Sequence, residues 1–560
     1  MIPPMFALLV ACATIPVSAP LDTAPDIADT GGSADTADTG DSDADTAESA
    51  DTGDTNDTAA PCTTRWYPDA DQDGAGADAG AVEACDPPDS TWIFTGGDCD
   101  DVDPDVHPGA ADLCGDDLDA DCDGADPECA WSGRVDLGGE PKLYATVRDS
   151  QAGGLLAAGD LTGDGVPDLF TATFGFDSYG GGGYVVPGPI TSSGALDTVG
   201  IHLQGHYDST YGAGRSVGIG DVDGDGVADL AIGVPYYQNA LHIFLGPLTV
   251  DREVAEPDLV LTGRGSTYAG HGADLADLND DGVADAIVGA YLDSPGAYTA
   301  GTVFVKYGPL AADVDLTIDA DHEISGEEAT AYTGRHVRAG GDLNGDGLGD
   351  FVVAAPNATG GAPGSGIVYV VYGPGDLPDF SAADGRLLGE SAGGGLGIGV
   401  SMALGDVDGD GLDDVAAGAY YDGTAASYAG SAYLVFGPAA GDHALSAADI
   451  VVRGAAVNQY VGSGVAIGDA DRDGVGDLVV GASGTDTSTG AAYLYSAPTA
   501  GTYGPADADA TFLGEGIIQF AGAFTTFGDV DGDTLPELLV GATGEPTGGS
   551  GAGAVYVAAP

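Results

Sequence analysis

From about residue 150 to the end of the chain, short apolar runs alternate with a nine-residue polar pattern. Asp stands first and fifth, Asp, Asn or Thr third, usually Gly sixth, and an acid ninth. Seven copies begin at Asp160, Asp221, Asp277, Asp342, Asp406, Asp469 and Asp529, spaced 56 to 65 residues apart. The run after the second copy, Leu230-Ala231-Ile232-Gly233-Val234-Pro235, is β-like and ends in Pro. Units of this length suit four short strands with their connections, and a fixed period of this kind marks a repeat architecture. By contrast, residues 20–61 are nearly all Asp, Thr, Ala, Gly and Ser, with no apolar periodicity on which to build a core. They are expected to form a disordered linker, extended by its own charge.

The second copy shows the chemistry. Asp221, Asp223 and Asp225 alternate, Gly226 permits a sharp turn, residue 227 can offer a carbonyl, and Asp229 closes an oxygen shell of the kind Ca2+ takes. An EF-hand loop opens in the same way, yet no Glu stands at the twelfth position here, and a strand follows where an EF-hand has a helix. A strand-loop-strand calcium site is therefore expected in each copy. The ligand sets elsewhere are Asp160, Thr162, Asp164 and Asp168; Asp277, Asn279, Asp281 and Asp285; Asp342, Asn344, Asp346 and Asp350; Asp406, Asp408, Asp410 and Asp414; Asp469, Asp471, Asp473 and Asp477; and Asp529, Asp531, Asp533 and Glu537. Thr162 replaces a carboxylate or amide, and Thr534 stands where Gly makes the turn, so the first and seventh loops should bind more weakly.

The flanks repeat too. Tyr211-Gly212-Ala213-Gly214, Tyr268-Ala269-Gly270, Tyr460-Val461-Gly462 and Phe520-Ala521-Gly522 precede their loops, while Gly233-Val234-Pro235 and Ala354-Ala355-Pro356 follow theirs. With these flanks, the chain from about 150 to 560 resembles the FG-GAP repeat array of integrin α-subunit heads. The resemblance implies an all-β, seven-bladed β-propeller over residues 131–560, with calcium in its hairpin loops and a role in adhesion or ligand binding. Gly and Ala before each loop fit inner strands crowded around a propeller axis. The chain ends one strand short of a blade, and residues near Arg134-Val135-Asp136-Leu137 are expected to supply that outer strand and close the ring.

Charge narrows the function. The 560 residues include 90 Asp plus Glu against 13 Lys plus Arg, a formal charge of −77, so the compact state needs relief from self-repulsion that bound cations would provide. Nucleic acid is excluded as a partner because phosphate contacts need clustered basic side chains. An anionic membrane surface is disfavoured for the same reason.

At the N-terminus, residues 1–19, an apolar run from Ile2 to Ala11 is too short to span a bilayer and meets Cys12. Leu9-Val10-Ala11-Cys12 resembles a bacterial lipoprotein processing site, although no Lys or Arg lies near Met1; the alternative is a sorting peptide removed whole. A secreted protein held by lipid at a bacterial cell surface or outer membrane is expected. The other cysteines, Cys62, Cys85, Cys99, Cys114, Cys122 and Cys129, form an even set within residues 62–130, as disulfides in an oxidising compartment would, with their pairing left open. Dense Asp surrounds them, notably Asp69, Asp71 and Asp73 at one end and Asp119, Asp121 and Asp123 at the other. Trp66-Tyr67-Pro68-Asp69, Asp98-Cys99-Asp100-Asp101-Val102-Asp103-Pro104, His107-Pro108-Gly109-Ala110 and Asp121-Cys122-Asp123-Gly124 resemble the Asp/Cys-rich metal-binding repeat of bacterial surface proteins. Carboxylate oxygens favour calcium there, and His107 is the only imidazole.

No catalytic constellation is expected. Gly214-Arg215-Ser216-Val217-Gly218 has the letters of a hydrolase nucleophile elbow but falls on an inner strand, and His271 and His336 occupy inner-strand positions in the next two repeats. The sequence reads as a non-enzymatic binding or adhesion protein; the alternative is an envelope metal-binding scaffold with a passive propeller. The turns joining second and third strands lie opposite the calcium loops and vary most. They are Phe174-Gly175-Phe176-Asp177-Ser178-Tyr179, Pro235-Tyr236-Tyr237-Gln238-Asn239, Tyr291-Leu292-Asp293-Ser294 and Tyr420-Tyr421-Asp422-Gly423. Tyr237, Tyr291 and Tyr421 are therefore candidate contacts for a glycan or a basic protein patch.

Overall fold

Each polar loop lies between two antiparallel strands. In the second repeat Val217–Gly220 runs into the loop and Asp229–Val234 out of it, with Gly220 opposite Asp229. Ala240–Phe244 and then Leu259–Thr262 extend the same sheet outward. The second strands, such as Asp168–Thr173, Asp285–Ala290 and Asp477–Ala482, are buried at every position. That is why their sequences read as unbroken apolar runs and not as alternation: neighbouring sheets cover both faces. The computed structural model describes Thr64 to Pro560, except residues 73, 101, 103–105, 109–121, 123–130, 176–179, 374–376 and 398–400. Cys12, the linker, Cys62, Asp73, Cys114, Asp119, Asp121, Asp123 and Cys129 lie outside the described residues.

Among the described residues seven sheets of this four-strand plan follow one another, and the described chain is all-β with only short helical turns. The inner strands are Ala152–Gly159, Val217–Gly220, Ala269–Ala276, His336–Gly341, Met402–Gly405, Val461–Gly468 and Phe524–Gly528. Hydrophobic clusters form between successive sheets, as where Leu241, Ile243 and Ala231 of the second meet Ala273, Val288 and Phe304 of the third. Backbone approach there is close. A Cβ on Gly233 would stand 1.8 Å from the carbonyl oxygen of Gly270, and one on Gly481 1.8 Å from that of Gly522. Small residues are thus required where one sheet's second strand meets the next sheet's inner strand.

Ring closure differs from the sequence expectation. The outer strand of the last sheet is Lys142–Tyr144, which pairs antiparallel with Ala554–Ala558. Gly133–Asp136, containing Arg134, instead pairs parallel with Ala510–Leu513 of the sheet before. The reason is a latch repeated around the molecule: the connection entering an outer strand first adds a fifth strand to the preceding sheet. Arg252–Glu253 does so on Ile201–Gln204, Gly441–Ala444 on Gly385–Leu388, and Gly501–Tyr503 on Ile450–Arg453. Gly133–Asp136 is that connection for the last sheet, and Lys142–Tyr144 follows it.

In the Cys-rich segment Arg65–Pro68 lies between Val82–Glu83 and Trp92–Ile93, and Gly76–Ala77 pairs with Gly96–Asp98. Cys99 and Cys122 form a disulfide, and Cys85 is disulfide-bonded as well.

Candidate metal centres

The turn of each loop is built from the first carboxylate. Asp221 accepts N–H bonds from Gly224 at 2.7 Å, Asp225 at 3.2 Å and Gly226 at 2.7 Å. Asp160, Asp342, Asp406 and Asp529 hold their loops in the same way, and Asp277 and Asp469 repeat part of the pattern. The backbone at the fourth and sixth positions is left-handed, with φ +80° at Gly224 and +90° at Gly226. Arg472 and Asp280 adopt it at the fourth position and Thr534, at +78°, at the sixth, a conformation that strains a side chain with a Cβ.

The ninth carboxylate is sunk beneath the loop. Asp229 takes an N–H from Val222 and another from Gly246, both at 2.8 Å, and is 1% exposed. Asp168, Asp285, Asp350, Asp414 and Asp477 sit in the same cradle. Burial, with repulsion from the loop's other carboxylates, pushes Asp229, Asp285, Asp350 and Asp477 up to about 6 and Asp414 and Glu537 to about 7. Asp168 is also raised, by burial alone.

These oxygens converge. Carboxylate atoms of Asp221, Asp223 and Asp225, of Asp406, Asp408 and Asp414, of Asp469, Asp471 and Asp473, and of Asp529, Asp531 and Glu537 lie within 4.8 Å of one another in each set. In the first, third and fourth loops, Thr162, Asn279 and Asn344 take the third position. Asn279 Oδ1, Asp469 Oδ1 and Glu537 Oε1 are buried without a hydrogen-bond partner. Crowded carboxylates, raised proton affinity and orphaned acceptors all describe a site that fits a hard cation. Asp164, Asp225, Asp281, Asp346, Asp410 and Asp473 remain at the exposed lip, Asp533 is half-buried, and each takes the N–H two residues on. In the Cys-rich segment Asp69 accepts from Gln72 N–H at 2.7 Å, and Asp71 is half-buried nearby.

On the opposite ends of the strands, the three candidate tyrosines part company. Tyr237 is 65% exposed and Tyr421 half-buried against Tyr428 and Tyr460. Tyr291 is only 8% exposed, packed against Tyr268, His271 and Tyr332 with the Arg335 guanidinium over its ring. Its face is not available to a partner. Tyr207, Tyr298 and Tyr428 are exposed on the same rim; the last two lie further along the connections that carry Tyr291 and Tyr421, beyond the segments singled out from sequence. Ser216 donates its hydroxyl to the Gly270 carbonyl at 2.9 Å from an inner-strand position, with no helix behind it.

The family described as FG-GAP repeat matches residues 213–244, 333–371, 398–435 and 521–558, and the family described as "Putative metal-binding motif" matches residues 98–128. Integrin alpha pat-2 of Caenorhabditis briggsae is 32% identical over 235 residues, covering 38% of this chain and 18% of its own length. Integrin alpha-PS2 of Drosophila melanogaster is 33% identical over 226 residues, or 38% and 15%. Phosphatidylinositol-glycan-specific phospholipase D of Rattus norvegicus is 36% identical over 154 residues, or 26% and 18%. This chain therefore spans less than a fifth of the length of these relatives. It carries four FG-GAP repeats similar to those of integrin α-subunits, and a segment similar to the metal-binding motif.

Proposed function

We propose that the protein is a calcium-stabilised, seven-bladed β-propeller that binds a protein or glycan at a cell surface, without catalytic activity of its own. The observation that carries this reading is the division of labour between the two ends of the strands. One end repeats the same oxygen-lined loop in every sheet, while the other varies and exposes Tyr237, Tyr298 and Tyr428. Repetition suits a structural ion; variation suits recognition. Calcium would be held by the four side chains of each loop, drawing the carboxylates together and offsetting their repulsion. The likeness to integrin α-subunits supports a binding role, and the acid-rich Cys segment supports a second metal-binding region.

Localisation at a bacterial outer surface through lipid on Cys12 belongs to the same reading. Replacing Cys12 by Ser should release the protein from the membrane fraction. Capture of surface proteins or glycans on the immobilised chain, with calcium and with EDTA, tests the function. Binding that needs calcium and is lost in Tyr237→Ala and Tyr421→Ala supports it, and binding indifferent to all three contradicts it. The metal-binding motif favours a second reading, a metal-holding scaffold; deletion of residues 62–129 should then abolish metal retention, whereas the binding reading expects capture to survive.

A further inference from the structure

The ninth carboxylates are joined from sheet to sheet. Asp229 takes the Val222 N–H at 2.8 Å, and the carbonyl of Val222 accepts from Leu310 of the third sheet at 2.7 Å. Two residues before Leu310, Gly308 donates its N–H at 2.8 Å to Asp285, the ninth carboxylate of the third loop. The same relay leads into Asp229 from the first loop. Leu161 gives its N–H to Asp168 at 2.8 Å, its carbonyl accepts from Leu248 at 2.8 Å, and Gly246 donates to Asp229 at 2.8 Å. From the seventh loop, Val530 donates to Glu537 at 2.8 Å and accepts from Ile190 at 2.7 Å, and Gly188 donates to Asp168 at 3.0 Å. Glu537, Asp168, Asp229 and Asp285 thus stand in one hydrogen-bonded series through the seventh, first, second and third loops.

A second link joins neighbouring loops directly. The residue before a ninth carboxylate donates its N–H to the carbonyl of the first Asp in the preceding loop: Ala284 to Asp221 at 2.7 Å, Asp413 to Asp342 at 3.0 Å and Gly476 to Asp406 at 2.6 Å. Asp342 returns its own N–H to the Asp413 carboxylate at 2.8 Å. Pro536 has no N–H to offer the sixth loop, and a side chain takes over there. Arg472 donates to the Asp533 carbonyl at 3.4 Å and to the Thr534 hydroxyl. Arg472 and Thr534, both left-handed where most loops have Gly, are therefore partners across this junction.

We propose that the calcium loops are coupled along the array, so that filling one loop tightens binding in the next, most strongly through the seventh, first, second and third loops. This rests on the calcium reading above and adds how the sites act on one another. Gathering a loop's oxygens around an ion fixes its second and ninth residues, and their main-chain bonds order the cradle of the adjoining ninth carboxylate. The adjoining loop then has less left to order when it fills, which is positive coupling, and such coupling is reciprocal. Charge does not oppose it: three or four acids in each loop outweigh the two charges of Ca2+, so a filled loop stays negative toward the next ion. The first loop, where Thr162 replaces an acid, has a relay on both sides and gains support from each.

The test uses the full chain, stripped of calcium and titrated with Tb3+, an oxygen-seeking ion whose luminescence is excited through a nearby tryptophan. Val283→Trp, at the seventh position of the third loop, reports that loop once the signal of the chain without it is subtracted. Asp225→Ala, which removes a side chain of the second loop, should weaken binding in the third at least about fivefold, the lower end of ordinary coupling. Asp473→Ala in the distant sixth loop should leave it unchanged. Ala284→Pro supplies the residue that the first and seventh loops carry at this position, Pro167 and Pro536, and removes the N–H given to Asp221. It should shrink the effect of Asp225→Ala while every ligand of the third loop stays in place. An unchanged third loop in Asp225→Ala, an equal loss in Asp473→Ala, or a full effect persisting in Ala284→Pro would overturn the coupling. Should one of these variants not fold, the third-loop curve of Val283→Trp alone decides: an independent site gives a Hill coefficient of about 1, a steeper curve supports the coupling, and any other overturns it. Sensitised luminescence absent at every Tb3+ concentration would overturn the calcium reading and the coupling together, whereas uncoupled binding sinks the coupling alone.

Discussion

Trp131 Nε1 donates a hydrogen bond to the carbonyl of Ala559 at 2.8 Å, joining residues 428 apart in sequence. The indole also packs edge-on against Phe512 at 5.3 Å and tilts over Phe527 at 6.5 Å, so one side chain ties the entry of the array, its sixth sheet and its end. Trp131→Ala should cost about 3–5 kcal/mol, the usual range for removing a buried aromatic ring. Urea unfolding should show the lost midpoint. Trp131→Phe should recover much of it, since packing contributes more than the single hydrogen bond.

Calcium should matter most at neutral pH, where the loop carboxylates are ionised and repel. At about 100-fold excess over the dissociation constant, one site stabilises by about 2.7 kcal/mol, provided the unfolded chain does not bind. EDTA should therefore lower the melting temperature and added calcium restore it. Asp414→Asn tests one loop, because it removes charge from the buried cradle made by Val407 and Gly437 N–H without removing an acceptor. Calorimetry should count one site fewer. An EDTA-insensitive melt, or an unchanged count, would contradict the calcium reading.

Much of this site was legible because a metal loop needs particular residues at particular spacings; Asp221, Asp223, Asp225 and Asp229 announce themselves. Other acids repeat with equal regularity for a different reason. Asp258, Asp321, Asp384, Asp449 and Asp509 each accept the N–H of the residue after a third strand, at 2.8 to 3.0 Å, pinning the outer connection. They carry no motif, so the sequence reading absorbed them into general acidity. Closure was placed a few residues early for a comparable reason. Arg134-Val135-Asp136-Leu137 and Lys142–Tyr144 are both short strand-like segments, and only the latch onto Ala510–Leu513 assigns the first to a neighbouring sheet. Tyr291 shows the limit for surfaces: an aromatic in a variable turn reads the same whether it faces solvent or the Arg335 guanidinium.

Gly233 offers a sharper test of the packing. Its missing Cβ would meet the Gly270 carbonyl at 1.8 Å and the Ser216 hydroxyl at 2.4 Å, and the carbonyl cannot turn away without disturbing the inner strand. Gly233→Ala should destabilise by about 1–3 kcal/mol, in the range found for overpacked cores. Gly226→Ala in the second loop meets nothing within 4 Å and is opposed only by its φ of +90°. A smaller loss is expected there, and comparing the two variants' denaturation midpoints separates clash from backbone strain.

The last expectation concerns acid. His271 and His336 are buried with ring centroids 5.5 Å apart, and both are held well below the ordinary histidine value, first by burial; Arg335 and Arg215 then lower His271, and His271, Arg335 and Arg215 lower His336. Arg338 adds to the effect on His336, although it is paired with Asp274, and the rings of Tyr236 and Tyr291 pack against His271. In the unfolded chain both imidazoles titrate near 6.5, so below that value the unfolded state binds more protons than the folded one. Acidification therefore favours unfolding, by about 1.4 kcal/mol per pH unit for each histidine, from pH 6.5 down to the depressed folded value. The loop carboxylates also titrate, so the informative quantity is the difference between the natural chain and His271→Gln/His336→Gln, both in calcium. The natural chain should lose stability more steeply between pH 6.5 and 5.5, and parallel curves would show that these imidazoles take up protons as freely in the folded state as in the unfolded one.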